Sequence, residues 1–164
     1  AVLAYGAELK LESVKGARWV SATDFFTGYR KTAKGSDELL TCIRFPKISS
    51  KKIRGEFYKI GTRRAQAISK VAMCVVAEVS HGAIVEIAIA VGSVAPTAVR
   101  AFGTEALLRG RAVTAPVIDS ARSSIMDEFS PIDDVRSTEG YRRFVCGSML
   151  ANFLSGLTKK KTPV

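Results

Sequence analysis

Hydrolytic and metal chemistry need particular neighbours: a nucleophile needs a base within reach, and zinc needs several nitrogen or sulfur ligands. The chain holds one histidine, His81, and three cysteines, Cys42, Cys74 and Cys146, widely spaced and flanked by apolar residues. No CxxC pair, triad or zinc set can be assembled from them. His81 reads as a turn residue beside Gly82, and the cysteines read as buried free thiols. Asp127-Glu128 and Asp133-Asp134 have the oxygen ligands a hard cation takes. Asp134 stands just before Arg136 and the final helix, however, where a cap or an ion pair accounts for it. Neither a GxGxxG nor a Walker A stretch occurs, and Gly103 and Gly110 read as helix-end and loop punctuation. The chain is expected to carry no catalytic residue and no metal ligand.

Charge narrows the partners. Lys and Arg number 25 against 15 Asp and Glu, a net +10. The cations are scattered in short clusters: Arg30-Lys31, Lys51-Lys52, Arg63-Arg64, Arg142-Arg143 and Lys159 to Lys161. Few aromatics stand between them for bases to stack on, and no helix-turn-helix, zinc-finger or RNA-recognition signature accompanies them. They read as a solvated surface, with a basic nucleic-acid-binding module as the rival reading and no nucleic acid among the expected partners. Hydrophobic residues make up 47% and charged residues 24%, the balance of a globular protein. The longest apolar run, Ala83 to Val91, is broken by Glu86 and is too short to span a bilayer, and no basic-then-apolar leader is seen. The expectation is a soluble, cytoplasmic protein with no membrane partner. A start at Ala1-Val2-Leu3-Ala4, without methionine, is expected of a segment of a longer protein.

The elements follow from periodicity and punctuation. Ala7 to Ser13 alternates, Lys15-Gly16 turns and Ala17 to Ser21 is extended, which predicts a hairpin. Thr23-Asp24 is expected to cap a helical turn carrying Phe25 and Phe26 into a core, with an exposed loop from Gly28 to Gly35. Glu38 to Phe45 reads as a strand stopped by Pro46, and a domain boundary is placed there. Gly55 to Thr62, Lys70 to Ser80 and Ala83 to Val91 predict an antiparallel meander turning at His81-Gly82. Helices are expected over Ala98 to Arg109, from Thr114 or Ala115 to Phe129, and from Thr138 to Leu157. A sheet followed by helices is an α+β signature.

Four stretches become specific together. They are Asp24-Phe25-Phe26-Thr27-Gly28-Tyr29-Arg30-Lys31-Thr32; Asp37-Glu38-Leu39-Leu40 with Ile43-Arg44-Phe45-Pro46; Phe57-Tyr58-Lys59-Ile60-Gly61-Thr62-Arg63-Arg64; and Ala88-Ile89-Ala90-Val91-Gly92 with Ala95-Pro96, Asp134-Val135-Arg136 and Tyr141-Arg142-Arg143. With them the chain resembles the FAD domain of the molybdenum hydroxylases, the xanthine dehydrogenase and carbon monoxide dehydrogenase flavoprotein family. The resemblance implies the end of a vanillyl-alcohol-oxidase-type FAD-binding subdomain (residues 1–45). After it comes a domain with an antiparallel sheet packed on about three helices (residues 46–164).

It also implies the parent's chemistry. Substrate is hydroxylated at a molybdopterin centre on another domain or subunit, electrons cross iron-sulfur clusters, and FAD passes them to NAD. Xanthine dehydrogenase is the first reading, with carbon monoxide, aldehyde or aromatic acyl-CoA dehydrogenases as alternatives. By position, Leu40 matches a residue whose strand contacts FAD. Lys59 matches the lysine of a Phe-x-Lys-like strand that approaches the flavin, where a cation stabilises the reduced, anionic form. Arg30, Lys31, Arg63 and Arg64 fall on loops that could steady the cofactor or the iron-sulfur partner. Ala65-Gln66 stand where some relatives carry an acidic residue, and Ser93 stands where many carry glycine. The family's pyrophosphate-wrapping stretch lies in its N-terminal half, the expected partner, so this segment alone is expected to bind FAD weakly or not at all and to be inactive.

Overall fold

Alternation along residues 8–13 puts Leu9 and Leu11 on one face and Glu8, Lys10 and Glu12 on the other. In the computed structural model, which describes residues 1–48, 52–63 and 66–158, this stretch is β1 (Glu8–Ser13). It pairs antiparallel with β2 (Gly16–Ser21), the expected hairpin. Ser21 rather than Thr23 caps α1 (Ala22–Phe25), its hydroxyl accepting from the Asp24 N–H. The helix is thereby set so that Phe25 is buried while Phe26 leaves the core and begins β3 (Phe26–Gly28). The expected loop is thus a small ribbon, β3 pairing with β4 (Lys31–Thr32) around Arg30 at φ +55°. β5 (Leu39–Arg44) returns to the free edge of β1, giving the order β2-β1-β5, with one extra residue, Thr41, bulged out. Cys42 therefore lies opposite Lys10 on the outer face and is exposed; only Cys74 and Cys146 are buried as expected.

β6 (Ile53–Gly61), β7 (Ser69–Ser80), β8 (Ala83–Gly92) and the two-residue β9 (Val99–Arg100) form the meander. His81 and Gly82 make its tight turn with φ of +52° and +79°, the double left-handed geometry of two-residue hairpins. One face of β7 and β8, with Val71, Met73, Val75, Ile87, Ile89 and Val91, packs on α2 (Phe102–Leu108), α3 (Ala115–Glu128) and α4 (Glu139–Thr158). On the other face Cys74 and Ala90 join Leu3, Ala7, Leu9, Leu11 and Phe25 of the N-terminal unit. Burial on both sides is why β7 and β8 are almost continuously apolar.

The helix expected from Ala98 starts four residues late. Val99 and Arg100 pair with Val91 and Ala90 instead, because a strand there covers the open edge of β8. That placement lets Arg100 clasp Glu105, which is only 2% exposed, through two bonds of 2.7 Å. Its remaining Nη1 donates to the Leu3 carbonyl at 3.3 Å, which joins the N-terminal unit to the sheet. Glu105 also accepts from the Ile89 N–H. In the same first turn of α2, the Glu128 carboxylate of α3 accepts from the Gly103 and Thr104 N–H groups and from the Thr104 hydroxyl. α3 and α4 cross at Gly147, where a Cβ would come within 2.9 Å of the Arg122 and Met126 side chains.

Removing Arg100 leaves a buried carboxylate without its cation, so Arg100→Ala is expected to cost about 3 kcal/mol in chemical denaturation. Glu38 supplies a pH handle. The Arg18 guanidinium and the Gly35 N–H hold its carboxyl at about 2, below the ordinary 4.5. A depressed value means the contribution is full above about pH 4.5 and lost as pH falls toward 2. Glu38→Gln is expected to flatten the acid limb of the melting temperature over that window and leave the neutral limb parallel to wild type.

Candidate functional site

Directly opposed residues on antiparallel strands share a face. Lys59 on β6 is opposite Ala72, and Ala72 is opposite Gly92 on β8, so the three form one row across the sheet. The row lies on the face turned to the N-terminal unit, since Cys74 and Ala90, two residues along, join that unit's core. The adjacent row is Phe57, Cys74 and Ala90, and beyond it Gly55 lies so close under Tyr5 that a Cβ would meet the phenol oxygen at 2.4 Å. Cover from the N-terminal unit runs out toward β6: Cys74 and Ala90 are buried beneath it, while Phe57 is 61% exposed and Gly55 and Lys59 are exposed. What remains is a shelf of small residues, Ala72 and Gly92, with an aromatic ring beside it and an ammonium at its outer end. Lys59 has no ion pair among the described residues.

Leu40 is opposite Leu11, and Ile43 opposite Leu9, so both extend the inner face of the N-terminal sheet past its buried cluster. They are 41% and 44% exposed. Leu40 and Lys59 thus lie on different sheets, on faces turned toward one junction. Arg30 stacks on Tyr29, 5.3 Å from the ring centroid. Arg63 donates to the Gln66 carbonyl, tying its own turn; Arg64 and Ala65 lie outside the described residues, as do Lys51 and Lys159 to Lys161. Asp133 accepts from the Glu139 N–H at the start of α4, and Asp134 pairs with Arg142, so the acidic pair is a cap and an ion pair. The Arg136 N–H first, then the Arg142 guanidinium and the Ser137 N–H, hold the Asp134 carboxyl below the usual range against the effect of burial. Burial pushes the Cys146 thiol up to about 12, which makes it inert. Among the described residues no three His, Cys, Asp or Glu side chains gather to hold a metal, and no described helix is long and apolar enough to cross a membrane. A depression of about 180 Å³, lined by Ile53, Val76, Glu86, Ala88, Arg100 and Arg109, lies further along the same face and includes neither Lys59 nor Leu40.

Sequence reasoning missed Phe57, Ala72, Gly92 and the Arg142 clamp. Phe57 and Lys59 stand two apart on one strand, which was the available signal; Ala72 and Gly92 join them only through register. The shelf can seat a planar, partly apolar group and place a cation where negative charge accumulates on it.

Residues 56–157 match the model of the CO dehydrogenase flavoprotein C-terminal domain, and residues 1–48 match that of the FAD binding domain in molybdopterin dehydrogenase. The xanthine dehydrogenase FAD-binding subunit of Escherichia coli O157:H7 is 24% identical over 93% of this chain and 52% of its own length. The carbon monoxide dehydrogenase medium chain of Afipia carboxidovorans is 32% identical over 88% of this chain and 50% of its own. A structure of carbon monoxide dehydrogenase from Hydrogenophaga pseudoflava superposes with a TM-score of 0.86 at 30% identity, covering 92% of this chain and 52% of that one. The chain spans about half the length of the curated relatives it matches.

Ser93, beside the shelf, has φ +69°, a region that favours glycine. Ser93→Gly is expected to raise stability by about 1 kcal/mol in denaturant titration, and a loss of stability would show that the serine side chain is needed there.

Proposed function

We propose, since the chain belongs to the CO dehydrogenase flavoprotein C-terminal domain family, that it forms the C-terminal part of the FAD subunit of a molybdenum-containing hydroxylase. In this reading residues 1–45 end the FAD-binding subdomain and residues 46–164 close over the cofactor. The observation that carries it is the Lys59–Ala72–Gly92 shelf, open at the junction of the two matched segments. Its residues fit a flavin. Ala72 and Gly92 allow close approach of a flat ring, Phe57 offers an aromatic neighbour, and Leu40 supplies an apolar contact from the facing sheet. FAD, when bound, supplies the exchange of electrons. Lys59 would hold positive charge beside the bound flavin and favour its reduced form.

The proposed partners are the N-terminal half of the FAD domain, an iron-sulfur domain or subunit that delivers electrons, and a molybdopterin domain or subunit that oxidises substrate. NAD is the proposed acceptor. Xanthine is the proposed substrate of the parent, in line with the Escherichia coli relative; the 30% identical carbon monoxide dehydrogenase structure favours carbon monoxide as the second reading. Three free thiols among the described residues suit a reducing, cytoplasmic setting.

The test uses the complete enzyme that contains this chain. Anaerobic xanthine is expected to bleach its flavin absorbance and NAD to restore it; bleaching by carbon monoxide instead selects the second reading. Lys59→Met is expected to weaken FAD binding about tenfold, roughly 1.4 kcal/mol, by fluorescence titration of the deflavo enzyme. Unchanged affinity would remove Lys59 from the site.

A further inference from the structure

Two irregularities lie just beyond the Lys59–Ala72–Gly92 row, at the same end of the ladder. The β6–β7 register slips between Ile60 and Gly61, so Lys70, two residues before Ala72, has no partner on β6 and forms a bulge. On β8 the residue after Gly92 is Ser93, in its left-handed conformation. A bulge lacks ladder bonds and a left-handed serine is strained, so neither holds its shape unaided.

One side chain from α4 holds both. Arg142 Nη1 donates to the Lys70 carbonyl at 3.0 Å and to the Ser93 carbonyl at 2.6 Å, and Nη2 donates to Asp134 Oδ1 at 2.7 Å. Asp134 is itself fixed by the Arg136 and Ser137 N–H groups, so the guanidinium meets a rigid counter-ion. The bulge is tethered a second time, since the Lys70 ammonium lies 5.1 Å from the ring centroid of Tyr141, the neighbour of Arg142.

Arg142 is 4% exposed, and its Nε is buried without a partner among the described residues. An apolar side chain would close a simple helix–sheet crossing without that penalty. Only a planar fork of donors spans carbonyls on two strands at once while pairing with a carboxylate.

We infer that Arg142 is the positioning residue of the flavin-facing shelf. From the helix side of the sheet it sets the spacing of β7 and β8 where Ala72 and Gly92 lie side by side. Through Ala72, the direct partner of Lys59, it sets where the Lys59 ammonium stands. The inference rests on the reading of Lys59 proposed above.

The experiment compares wild type, Lys59→Met, Arg142→Lys, Arg142→Met and the doubles Lys59→Met/Arg142→Lys and Lys59→Met/Arg142→Met, each in the complete flavoprotein that contains this chain. FAD affinity is titrated on the deflavo forms, the flavin midpoint potential is measured on the loaded forms, and thermal unfolding is followed on both. Arg142→Lys keeps the charge beside Asp134 but loses the fork, so it remains measurable if Arg142→Met does not fold. Arg142→Lys is expected to weaken FAD about tenfold and to shift the potential in the same direction as Lys59→Met. Each double is expected to lose no more than the weaker of its two parents, because both changes act on one contact. Full additivity, or lowered melting with unchanged FAD affinity and potential, would show a merely structural role and overturn the inference. If Lys59→Met changes neither affinity nor potential, the reading of Lys59 fails and this inference with it. An effect of Lys59→Met with none from either Arg142 variant overturns this inference alone.

Discussion

Strands β7 and β8 have to satisfy two cores at once, because helices cover one face of the sheet and the N-terminal unit covers the other. That double burial constrains everything around it. Each fully buried Val or Ile on these strands contributes roughly 1.5–3 kcal/mol, so neither strand can shift by one residue without exchanging its two faces. The register that results is the one that aligns Ala72 with Lys59 and with Gly92. The shelf is therefore the strip of one buried face over which cover runs out.

Buried and half-buried charge appears at seams between layers. Glu105 and Arg100 join α2 to β8 and reach the Leu3 carbonyl; Arg142 joins α4 to the ends of β7 and β8; Glu128 closes the first turn of α2 from α3. Each carries several hydrogen bonds, as low-dielectric surroundings require. These contacts set positions between elements whose association the apolar clusters already drive. The proposed cofactor site depends on such positions, since a ring packed on a shelf responds to displacements smaller than a bond length.

Much of the fold was legible in local pattern. The β1–β2 hairpin, the His81-Gly82 turn, the Gly110 stop and the long helices α3 and α4 follow from period and punctuation. Elements decided by an edge were not legible. Val99-Arg100 reads as the start of a helix and becomes a strand because β8 would otherwise end in an open edge. Cys42 stands in a largely apolar stretch, Leu39 to Ile43, and lies on the outer face, because Thr41 is bulged out and β5 has no neighbour on its far side in the β2-β1-β5 order. Phe26 was expected inside with Phe25, and the cap at Ser21 turned it out.

Residue types and their order were enough for the α+β class and for the family resemblance with Leu40 and Lys59 in it. They carry this information because hydrophobic period, turn chemistry and motif order are local properties of a chain. Only the tertiary structure decided that Lys59 shares a row with Ala72 and Gly92, that Leu40 lies on a face turned toward the same junction, and that Arg142 grips two strands from the opposite side. Those facts depend on cross-strand register and layer order, which join residues up to 72 positions apart, such as Arg142 and Lys70, and no local pattern encodes a partner that distant.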